Sequence, residues 1–325
     1  MAAKIGTVAI GRNEGERLRE CLQSLPRSSM PVVYVDSGST DGSVVMARDL
    51  GADVVALDMR DPFTAARARN AGFERLLQTV PDVSYVQFVD ADCAIIAGWI
   101  EQASTFLDGH PDVAVVCGRR RERYPDRSIY NWLCDIEWNT PVGEAKACGG
   151  DAMMRIDAFN KVGRYRPDVI AGEEPELCVR LRAAGWRIWR LGADMTRHDA
   201  ALTRFGQWWR RALRGGYAYA LGSHLHGAPP EHHFVRESRR ALAWGIVLPL
   251  ALILLGLFVS AWAWLGLLLY PLNIARKTLM LRGPLLDRAI LATFYVLAHF
   301  PEGLGQIKFV IDRVLGRRGR LIEYK

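Results

Sequence analysis

Cysteine is scarce in this sequence and shows no paired motif. The six cysteines are scattered over 325 residues, and no two of them are spaced as Cys-x-x-Cys. We predict no signal peptide, because Lys4 is the only early charge and the apolar run at 7–10 is too short for one. Scattered cysteines without a signal peptide are typical of a reduced domain that faces the cytosol.

Two glycine-rich phosphate-binding motifs are absent as well. No Gly-x-Gly-x-x-Gly follows the first apolar run, and no Gly-x-x-x-x-Gly-Lys-Ser/Thr occurs anywhere in the chain. The first motif is typical of dinucleotide-binding oxidoreductases and the second of P-loop nucleotide-binding proteins. Both classes therefore lose most of their support, although the fold derived below would also suit the first.

Excess positive charge is nearly absent from residues 1–270. They carry +1 of the net charge of +7, whereas residues 271–325 hold ten Lys and Arg against four Asp and Glu. The basic residues bracket and follow an apolar segment, a pattern that indicates attraction to a membrane surface and not a nucleic-acid groove. We expect membrane lipids as partners and no nucleic acid.

A long uncharged segment covers residues 241–274. As one helix it would be about 50 Å long, against a hydrocarbon core of about 30 Å. Basic residues flank both ends, which favours two cytoplasmic ends. This predicts two short passes, or a re-entrant hairpin, that turn near residues 256–260. A single long tilted helix is the alternative.

The rest of the C-terminal region has the pattern of an interfacial surface. Leu304, Ile307, Ile311 and Val314 recur on one helical face, and a basic tail, Arg317-Arg318-Gly319-Arg320, follows. We expect interfacial helices and this tail over residues 284–325, with the tail on anionic lipid. The predicted domains are accordingly 1–235 and a membrane-associated region, 236–325.

Short apolar runs alternate with helical patterns in the first ninety residues. The runs at 5–10, 31–36, 54–57 and 83–89 read as strands, with helices between them. This alternation predicts an α/β fold with a Rossmann-like, mostly parallel, doubly wound sheet flanked by helices. Ligands of such sheets bind outside the carboxyl ends of the strands. Acidic residues follow three of these ends and should share one crevice: Glu14, Asp36, Asp90 and Asp92.

The most informative acidic pair is Asp90-Ala91-Asp92. Alternate residues of a strand point the same way, so both carboxylates can reach one point beyond the strand. Hard oxygen ligands of this kind suit Mg²⁺ or Mn²⁺, which often keep substrate phosphate oxygens as further ligands. An ordinary turn at the strand end is the alternative, since Asp is common there.

Three further candidates lie in the second half of the globular part. Gly149 and Gly150 precede Asp151 and would let the backbone approach a ligand closely, or would simply form a turn. Glu173 and Glu174 open a helix, either as favourable partners of its dipole or with one of them as a general base. His198 follows a short strand and is a candidate metal ligand, although a lone histidine more often has no such role.

Taken together, these motifs resemble the family 2 glycosyltransferases, which have the GT-A fold. The resemblance covers roughly residues 4–215 and depends on the order of six motifs: Arg12-Asn13-Glu14-Gly15, Val35-Asp36-Ser37-Gly38-Ser39-Thr40-Asp41-Gly42, Ala68-Arg69-Asn70-Ala71-Gly72, Asp90-Ala91-Asp92, Gly149-Gly150-Asp151 and Glu173-Glu174. Each motif is weak by itself, but six in the family's order are specific.

The resemblance implies a donor site and a metal site. The nucleotide would be held by Gly11, Asn13, Glu14 and Asp36, with Asp90 near the ribose and Arg69 on the nucleotide or its phosphates. Asp92 would bind a divalent cation, with Asp90 and His198 close to it. The implied donor is a nucleotide sugar, and the implied cofactor is Mn²⁺ or Mg²⁺.

The resemblance also implies a base and an acceptor site. Glu174 stands where the family usually has the Asp of a Glu-Asp pair, so either Glu173 or Glu174 could be the base. Gly150 and Asp151 would face the acceptor. Gln207, Trp208 and Arg210 resemble the Gln-x-x-Arg-Trp motif of processive members, but Arg211 stands at the Trp position. This departure favours a non-processive enzyme, and an amphipathic interfacial helix is the alternative explanation.

The sequence therefore predicts a membrane-anchored, metal-dependent, inverting glycosyltransferase of cell-envelope glycan, polysaccharide or glycolipid synthesis. We expect it at the inner (plasma) membrane with its catalytic domain facing the cytoplasm, and with a lipid-linked or glycan acceptor. Three alternatives stay open: a polyprenyl-phosphate sugar transferase, a nucleotidyltransferase, and a non-catalytic membrane adaptor with a sugar-nucleotide-binding domain. The nucleotidyltransferase is the weakest of them, because the loop at 11–15 is short and acidic.

Overall fold

The structure is a computed structural model that describes residues 4–26, 30–317, 319 and 322. The chain divides into two compact units between Thr203 and Arg204. The domain boundary predicted at residue 235 lies after this division in the chain and inside the second unit. The helix that precedes residue 235 packs along the last helix of the chain and therefore groups with the C-terminal region.

The first unit is an α/β domain. Its strands are β1 (Ile5–Gly11), β2 (Val32–Asp36), β3 (Asp53–Ala56), β4 (Tyr85–Asp90), β5 (Cys93–Ile95), β6 (Val113–Glu122), β7 (Gly143–Glu144), β8 (Ala152–Arg155) and β9 (Arg187–His198). Its helices are α1 (Glu16–Ser24), α2 (Ser43–Asp49), α3 (Ala65–Thr79), α4 (Trp99–Gly109), α5 (Ile129–Glu137), α6 (Ile156–Lys161) and α7 (Glu173–Ala183), with a 3₁₀ turn at Pro125–Arg127.

Within the described residues the strands form one sheet in the order β3-β2-β1-β4-β8-β6-β9-β5, with β7 also paired to β9. The first four strands are mutually parallel, and β6 is parallel to β9. The remaining pairings, which involve β8, β5 and β7, are antiparallel. The predicted α/β sheet flanked by helices is confirmed. Its antiparallel pairings lie in the half where the sequence shows no regular alternation of strands and helices.

The core of the first unit lies between this sheet and the helices on its faces. Every residue of β2 is buried, and so is β4 up to its last residue. Burial of both faces is typical of central parallel strands. Helix α3 packs directly on β1 and β2, because Gly72 lets its backbone come close. A Cβ at Gly72 would lie 2.7 Å from Val35 Cγ2 and closer still to Val8.

We expect Gly72→Ala to destabilise the protein. The added methyl group overpacks a fully formed interface, which typically costs about 1–3 kcal/mol of unfolding free energy. Gly109→Ala is a matched control, since no atom lies within 4 Å of its added Cβ and the residue ends helix α4. Thermal unfolding of the full chain should show a lower midpoint for the first variant alone. Equal midpoints would contradict the close packing of α3 on the sheet.

The second unit is helical. Its helices are α8 (Phe205–His226), α9 (Val235–Leu242), α10 (Leu248–Phe258), α11 (Leu269–Met280), α12 (Leu285–Leu297) and α13 (His299–Val314), with a π turn at Ala243–Val247 and a 3₁₀ helix at Ala261–Leu268. Helix α13 packs along α8 and α9. Gly216 and Gly305 make this packing close, because a Cβ on either glycine would meet backbone atoms of the partner helix.

Helix α9, the π turn and α10 form one continuous helix, which is apolar from Ala241 onwards. Among the described residues this helix, Val235–Phe258, alone is long and apolar enough to cross a membrane. Only 17% of its apolar part is buried within the structure, so most of its apolar side chains are exposed. At about 1.5 Å per residue, the 24 residues span about 36 Å.

The uncharged segment 241–274 does not form the single long helix considered as an alternative. Helix α10 ends at Phe258, and Ser260 opens the 3₁₀ helix by accepting a hydrogen bond from the Trp262 N–H. The chain then runs back along α10, where Gly256 faces the Trp264 ring. Large apolar side chains along the hairpin and along α13 are exposed. The predicted lipid contact of the tail at 317–320 falls partly outside the described residues, which include only 317 and 319 of this stretch.

Candidate functional site

The carboxyl ends of three adjacent parallel strands form one edge of the sheet. Gly11 of β1 is in register with Asp36 of β2, and Ile10 is in register with Asp90 of β4. The strand ends that the sequence predicts to share a crevice are therefore side by side. Gly11 also needs to be small, because a Cβ there would lie 2.6 Å from that of Ala91.

Two loops at this edge are tied together by polar side chains. The buried Asp36 carboxylate accepts hydrogen bonds from the Gly38 and Ser39 N–H groups, at 3.0 and 2.9 Å, and so fixes the turn after β2. The Asn13 side chain accepts from the Thr40 N–H at 2.7 Å. Glu14 forms an ion pair of 2.7 Å with Arg17. The predicted nucleotide-binding residues thus form a pre-shaped rim.

Arg69 of helix α3 is at the centre of the site. Its guanidinium is 2% exposed and donates to Asp90 Oδ1 at 2.8 Å and to Glu173 Oε1 at 2.9 Å. A third carboxylate oxygen, Glu174 Oε1, lies 3.0 Å from the same guanidinium. Arg69 therefore joins the acidic end of β4 to the first turn of α7. It brings together residues that the sequence assigns separately to the donor, the metal and the base.

A second arginine, Arg120 of β6, adds another positive charge to the cluster. It contacts Asp90 Oδ2 at 3.2 Å and Asp151 Oδ2 at 2.9 Å. Sequence reasoning did not select Arg120, because it lies in a run of three arginines whose faces are set by register shifts between β6 and β9. The run marks a basic strand end, but no local pattern indicates which arginine points into the site.

Asp151 has a supporting position that differs from its predicted contact with the acceptor. It is fully buried, accepts from the Asp90 N–H at 2.9 Å and accepts from the Thr196 hydroxyl at 2.8 Å. Its oxygens are thus engaged in holding the backbone of Asp90 and the cation of Arg120. In this conformation Asp151 positions other groups instead of facing a substrate.

Gly150 lies directly against the charged cluster. A Cβ at this position would lie 2.6 Å from Arg69 Nη2 and 2.7 Å from Asp90 Oδ2. The glycine therefore allows the loop backbone to pass close to both groups, as the sequence predicts for a close approach. Any side chain here would displace the ion pairs.

A carboxylate and an imidazole meet beside the cluster. Strand β5 pairs with the end of β9, with Cys93 opposite His198, and this pairing places His198 Nε2 3.1 Å from Asp92 Oδ2. Both side chains are almost fully buried, and the Trp138 ring stands edge-on to the imidazole at 4.8 Å. Sequence spacing alone could not predict this pair, because it depends on a three-residue strand.

The donor atoms of this pair fit a borderline or hard divalent cation. Those of Asp92, Cys93 and His198 lie within 4.8 Å of one another. Burial and the neighbouring carboxylates raise the pKa of the Cys93 thiol well above its usual value. Carboxylate oxygen with imidazole nitrogen is a suitable ligand set for Mn²⁺. The predicted metal ligands Asp92 and His198 therefore lie together, with Asp90 two residues before Asp92 in the chain.

The two arginines affect the carboxylates unequally. Burial opposes ionisation of Asp90, but Arg69 and Arg120 overcome it and hold the pKa of Asp90 below its usual value. Glu174 has the opposite balance: burial, followed by the charge of Glu173, raises its pKa to about 7. The arginines thus favour the anion of Asp90, whereas Glu174 can exchange a proton near neutral pH.

The three predicted acceptor-site residues of the second unit, Gln207, Trp208 and Arg210, lie at the start of helix α8. Gln207 accepts a hydrogen bond from the Arg204 N–H at 3.0 Å and so caps the helix. The Trp208 ring is buried against Phe294, with ring centroids 5.0 Å apart, whereas Arg210 is exposed. Their role towards an acceptor stays a prediction.

Comparison with known proteins agrees with this description. Residues 10–163 match the family model described as glycosyl transferase family 2. The chain is 24% identical to glycosyltransferase AglE of Haloferax volcanii over 189 residues, 54% of this chain and 60% of the relative. It is 28% identical to the succinoglycan biosynthesis protein ExoA of Rhizobium meliloti over 201 residues, 54% of this chain and 57% of the relative. The chain therefore spans less than two thirds of the length of these relatives.

A similar solved structure is that of mannosyltransferase PcManGT from Pyrobaculum calidifontis, in complex with GDP-Man and Mn²⁺. It is 19% identical, with a TM-score of 0.63 over 96% of this chain and 88% of the other. At this level of identity the similarity shows a shared fold. Together with the family match, it shows a family 2 glycosyltransferase domain over residues 10–163, with the GT-A fold.

Proposed function

We propose that this protein is a metal-dependent, inverting glycosyltransferase that passes a sugar from a nucleotide sugar to a membrane-associated acceptor. The observation that carries the proposal is the position of Arg69. It links Asp90, at the predicted donor and metal site, to Glu174, the predicted base, through two contacts of 2.8 and 3.0 Å. Because the Arg69 guanidinium contacts both residues, a donor bound at Asp90 would lie next to the base, as group transfer requires.

The donor is proposed to lie along the rim formed by Asn13, Glu14 and Asp36. The turn that Asp36 fixes presents backbone and hydroxyl groups at the sheet edge, where open α/β sheets bind nucleotides. The similar structure of PcManGT was solved with GDP-Man, which supports a nucleotide-sugar donor of the same general class. Asp90, held as an anion by two arginines, would accept hydrogen bonds from the ribose.

A divalent cation is proposed as cofactor, held by Asp92 and His198 with Asp90 close by. Such an ion would act as a Lewis acid that neutralises the leaving diphosphate. The chain's own part is to hold the carboxylate and the imidazole in place. The β5–β9 pairing and the Trp138 ring do this.

Glu174 is proposed as the general base. Its side chain is 14% exposed, against 4% for Glu173, and its raised pKa lies near the working pH of a base. In the transfer, Glu174 takes the proton of the acceptor hydroxyl while that oxygen bonds to the anomeric carbon. The bond from that carbon to the diphosphate oxygen breaks on the opposite face. The anomeric configuration is thereby inverted without a covalent enzyme intermediate.

The acceptor is proposed to be lipid-linked or an envelope glycan, used in polysaccharide or glycolipid synthesis. The relative named for succinoglycan biosynthesis supports this class of product. The apolar helix Val235–Phe258 and the basic C-terminal region support attachment to the inner membrane, with the first unit in the cytoplasm.

The metal site can be tested by ligand-induced stabilisation. With the full chain in detergent, we expect one of UDP, GDP, CDP and dTDP to raise the unfolding midpoint only when Mn²⁺ is present. A ligand at about 100 times its dissociation constant adds about 2.7 kcal/mol to the free energy of unfolding. Asp92→Asn should lose this shift, whereas Asp82→Asn, an exposed aspartate outside the site, should keep it.

Two results would count against the proposal in different ways. A Mn²⁺-dependent shift that survives in Asp92→Asn would show that the metal is held elsewhere. The absence of any nucleotide shift in the unaltered protein would contradict donor binding and favour the non-catalytic adaptor.

A further inference from the structure

The helical unit contains a largely open cavity of about 430 Å³ between helices α8, α9 and α13. This volume is within the range of small-molecule sites, which are about 300–1,000 Å³. All of the residues that line it belong to the second unit. None of the motifs that define the glycosyltransferase site contributes to it.

One end of the cavity is cationic. Arg313, near the end of α13, donates a hydrogen bond to His224 Nδ1 of α8 at 2.8 Å. Loss of solvent and the charge of Arg313 lower the pKa of His224, so the imidazole is neutral and the arginine carries the positive charge. The adjacent acid, Asp312, does not line the cavity and is paired with Lys308 at 2.9 Å. An anionic group at this end would therefore meet an arginine that keeps donors to spare.

The other end of the cavity is apolar apart from one internally bonded polar pair. Leu242 and Ile307 contribute aliphatic side chains. The Ser238 hydroxyl donates to Gln306 Oε1 at 2.6 Å, and Gln306 Nε2 donates to the Ser238 carbonyl at 3.1 Å. These polar groups satisfy each other, so this end can accept hydrocarbon without burying an unpaired donor or acceptor.

The apolar end of the cavity lies nearer the apolar helix than the cationic end does. Gln306 and Arg313 are seven residues apart on α13, which corresponds to about 10 Å along the helix. Leu242, at the Gln306 end, leads directly into the apolar helix that continues to Phe258. The arginine is therefore at the end away from the apolar span, where a headgroup would lie, and the aliphatic lining is on the side of the hydrocarbon.

We propose that this cavity binds one anionic phospholipid, with its phosphate at Arg313 and the upper part of an acyl chain against Leu242 and Ile307. The inference depends on the proposed membrane attachment, but not on the proposed transfer reaction. Charge supports an anionic lipid: residues 204–325 hold 17 Lys and Arg against 6 Asp and Glu. A diffuse basic surface attracts such lipids, and the cavity gives one of them a defined position.

The test uses the full chain, delipidated in detergent and titrated with phosphatidylglycerol or phosphatidylcholine, with bound lipid counted by native mass spectrometry. We expect one saturable phosphatidylglycerol and no saturable phosphatidylcholine. Arg313→Gln should weaken phosphatidylglycerol binding at least about tenfold, since a charge-assisted hydrogen bond is lost. Ser223→Phe, which fills the cavity without changing charge, should weaken it comparably.

Arg317→Gln is the matched control, because it removes the same charge just beyond α13 from a residue that does not line the cavity. Equal weakening by Arg313→Gln and Arg317→Gln would overturn the proposal in favour of diffuse attraction. Displacement of the lipid by millimolar inorganic phosphate would equally overturn it, because the site would then be one for free phosphate.

The nucleotide-dependent rise in the unfolding midpoint separates this proposal from the proposed function. Variants whose unfolding midpoint without nucleotide equals that of the unaltered protein are folded in both units, so their loss of lipid can be assigned to the cavity. If the unaltered protein shows the nucleotide effect but binds no saturable phosphatidylglycerol, the lipid site is wrong and the glycosyltransferase proposal stands. If it binds the lipid and no nucleotide, the lipid site stands and the glycosyltransferase proposal is wrong.

Discussion

Arg69→Met should be among the most destabilising single substitutions in this chain, with an expected loss of about 3–5 kcal/mol in the free energy of unfolding. The guanidinium is 2% exposed and contacts three carboxylates. Methionine fills similar space without charge. The substitution therefore leaves Glu173 and Glu174 buried beside each other without their cation.

Denaturant or thermal unfolding of the full chain would measure this loss. Arg75→Met on the same helix is the control, because Arg75 is half exposed and pairs with a partly exposed Asp53. An exposed pair of this kind contributes about 1 kcal/mol or less. Arg69→Lys should be intermediate, since an ammonium group cannot reproduce the planar fork that contacts several carboxylates. Similar small losses for Arg69→Met and Arg75→Met would contradict the central role given to Arg69.

Local sequence patterns contain much of the information for this site. The strand ends at Gly11, Asp36 and Asp90 are adjacent because parallel strands in a doubly wound sheet end at one edge, and this follows from the alternation of elements. Arg69 and the two glutamates could be selected as motif residues. Their mutual ion pairs could not, because they depend on how α3 and α7 approach the sheet.

The contacts that local sequence patterns do not predict are those set by irregular, long-range pairing. Arg120 enters the site through register shifts between β6 and β9, and His198 reaches Asp92 through the three-residue β5. Asp151 follows the glycines that suggest a ligand site, yet antiparallel pairing of β8 with β4 begins at the next residue and buries it. Register between segments more than sixty residues apart has no local signal.

The second large effect is a loss of catalytic rate when the proposed general base, Glu174, is replaced. Glu174→Gln should lower kcat by about 10²–10⁴-fold, the usual contribution of a general base. Glutamine keeps the size of the side chain but cannot take a proton. The nucleotide-induced stabilisation with Mn²⁺ should remain, because Glu174 is not placed at the donor rim. Initial rates of nucleotide diphosphate release with a suitable acceptor would measure the change.

The raised pKa of Glu174 also predicts how the reaction rate and the stability of the protein depend on pH. Burial and Glu173 raise the pKa of Glu174 from 4.5 to about 7, so the active anion forms as the pH rises through about 7. The rate of the unaltered enzyme should rise over the same interval. The folded state binds this proton more tightly than the unfolded state does. The stability that it contributes is therefore complete below about pH 4.5 and is lost as the pH rises to about 7. Glu174→Gln should remove this part of the pH dependence of unfolding.

Glu173→Gln distinguishes the two glutamates that the sequence leaves as alternatives. Glu173 is bound to Arg69 at 2.9 Å and is nearly inaccessible, so its expected role is to hold the arginine and to raise the pKa of its neighbour. Removing its charge should shift the rise in rate to lower pH while leaving a substantial maximum rate. If instead Glu173→Gln abolishes turnover and Glu174→Gln keeps both the rate and its pH profile, the base is Glu173. Glu174 would then serve only to balance the charge of Arg69.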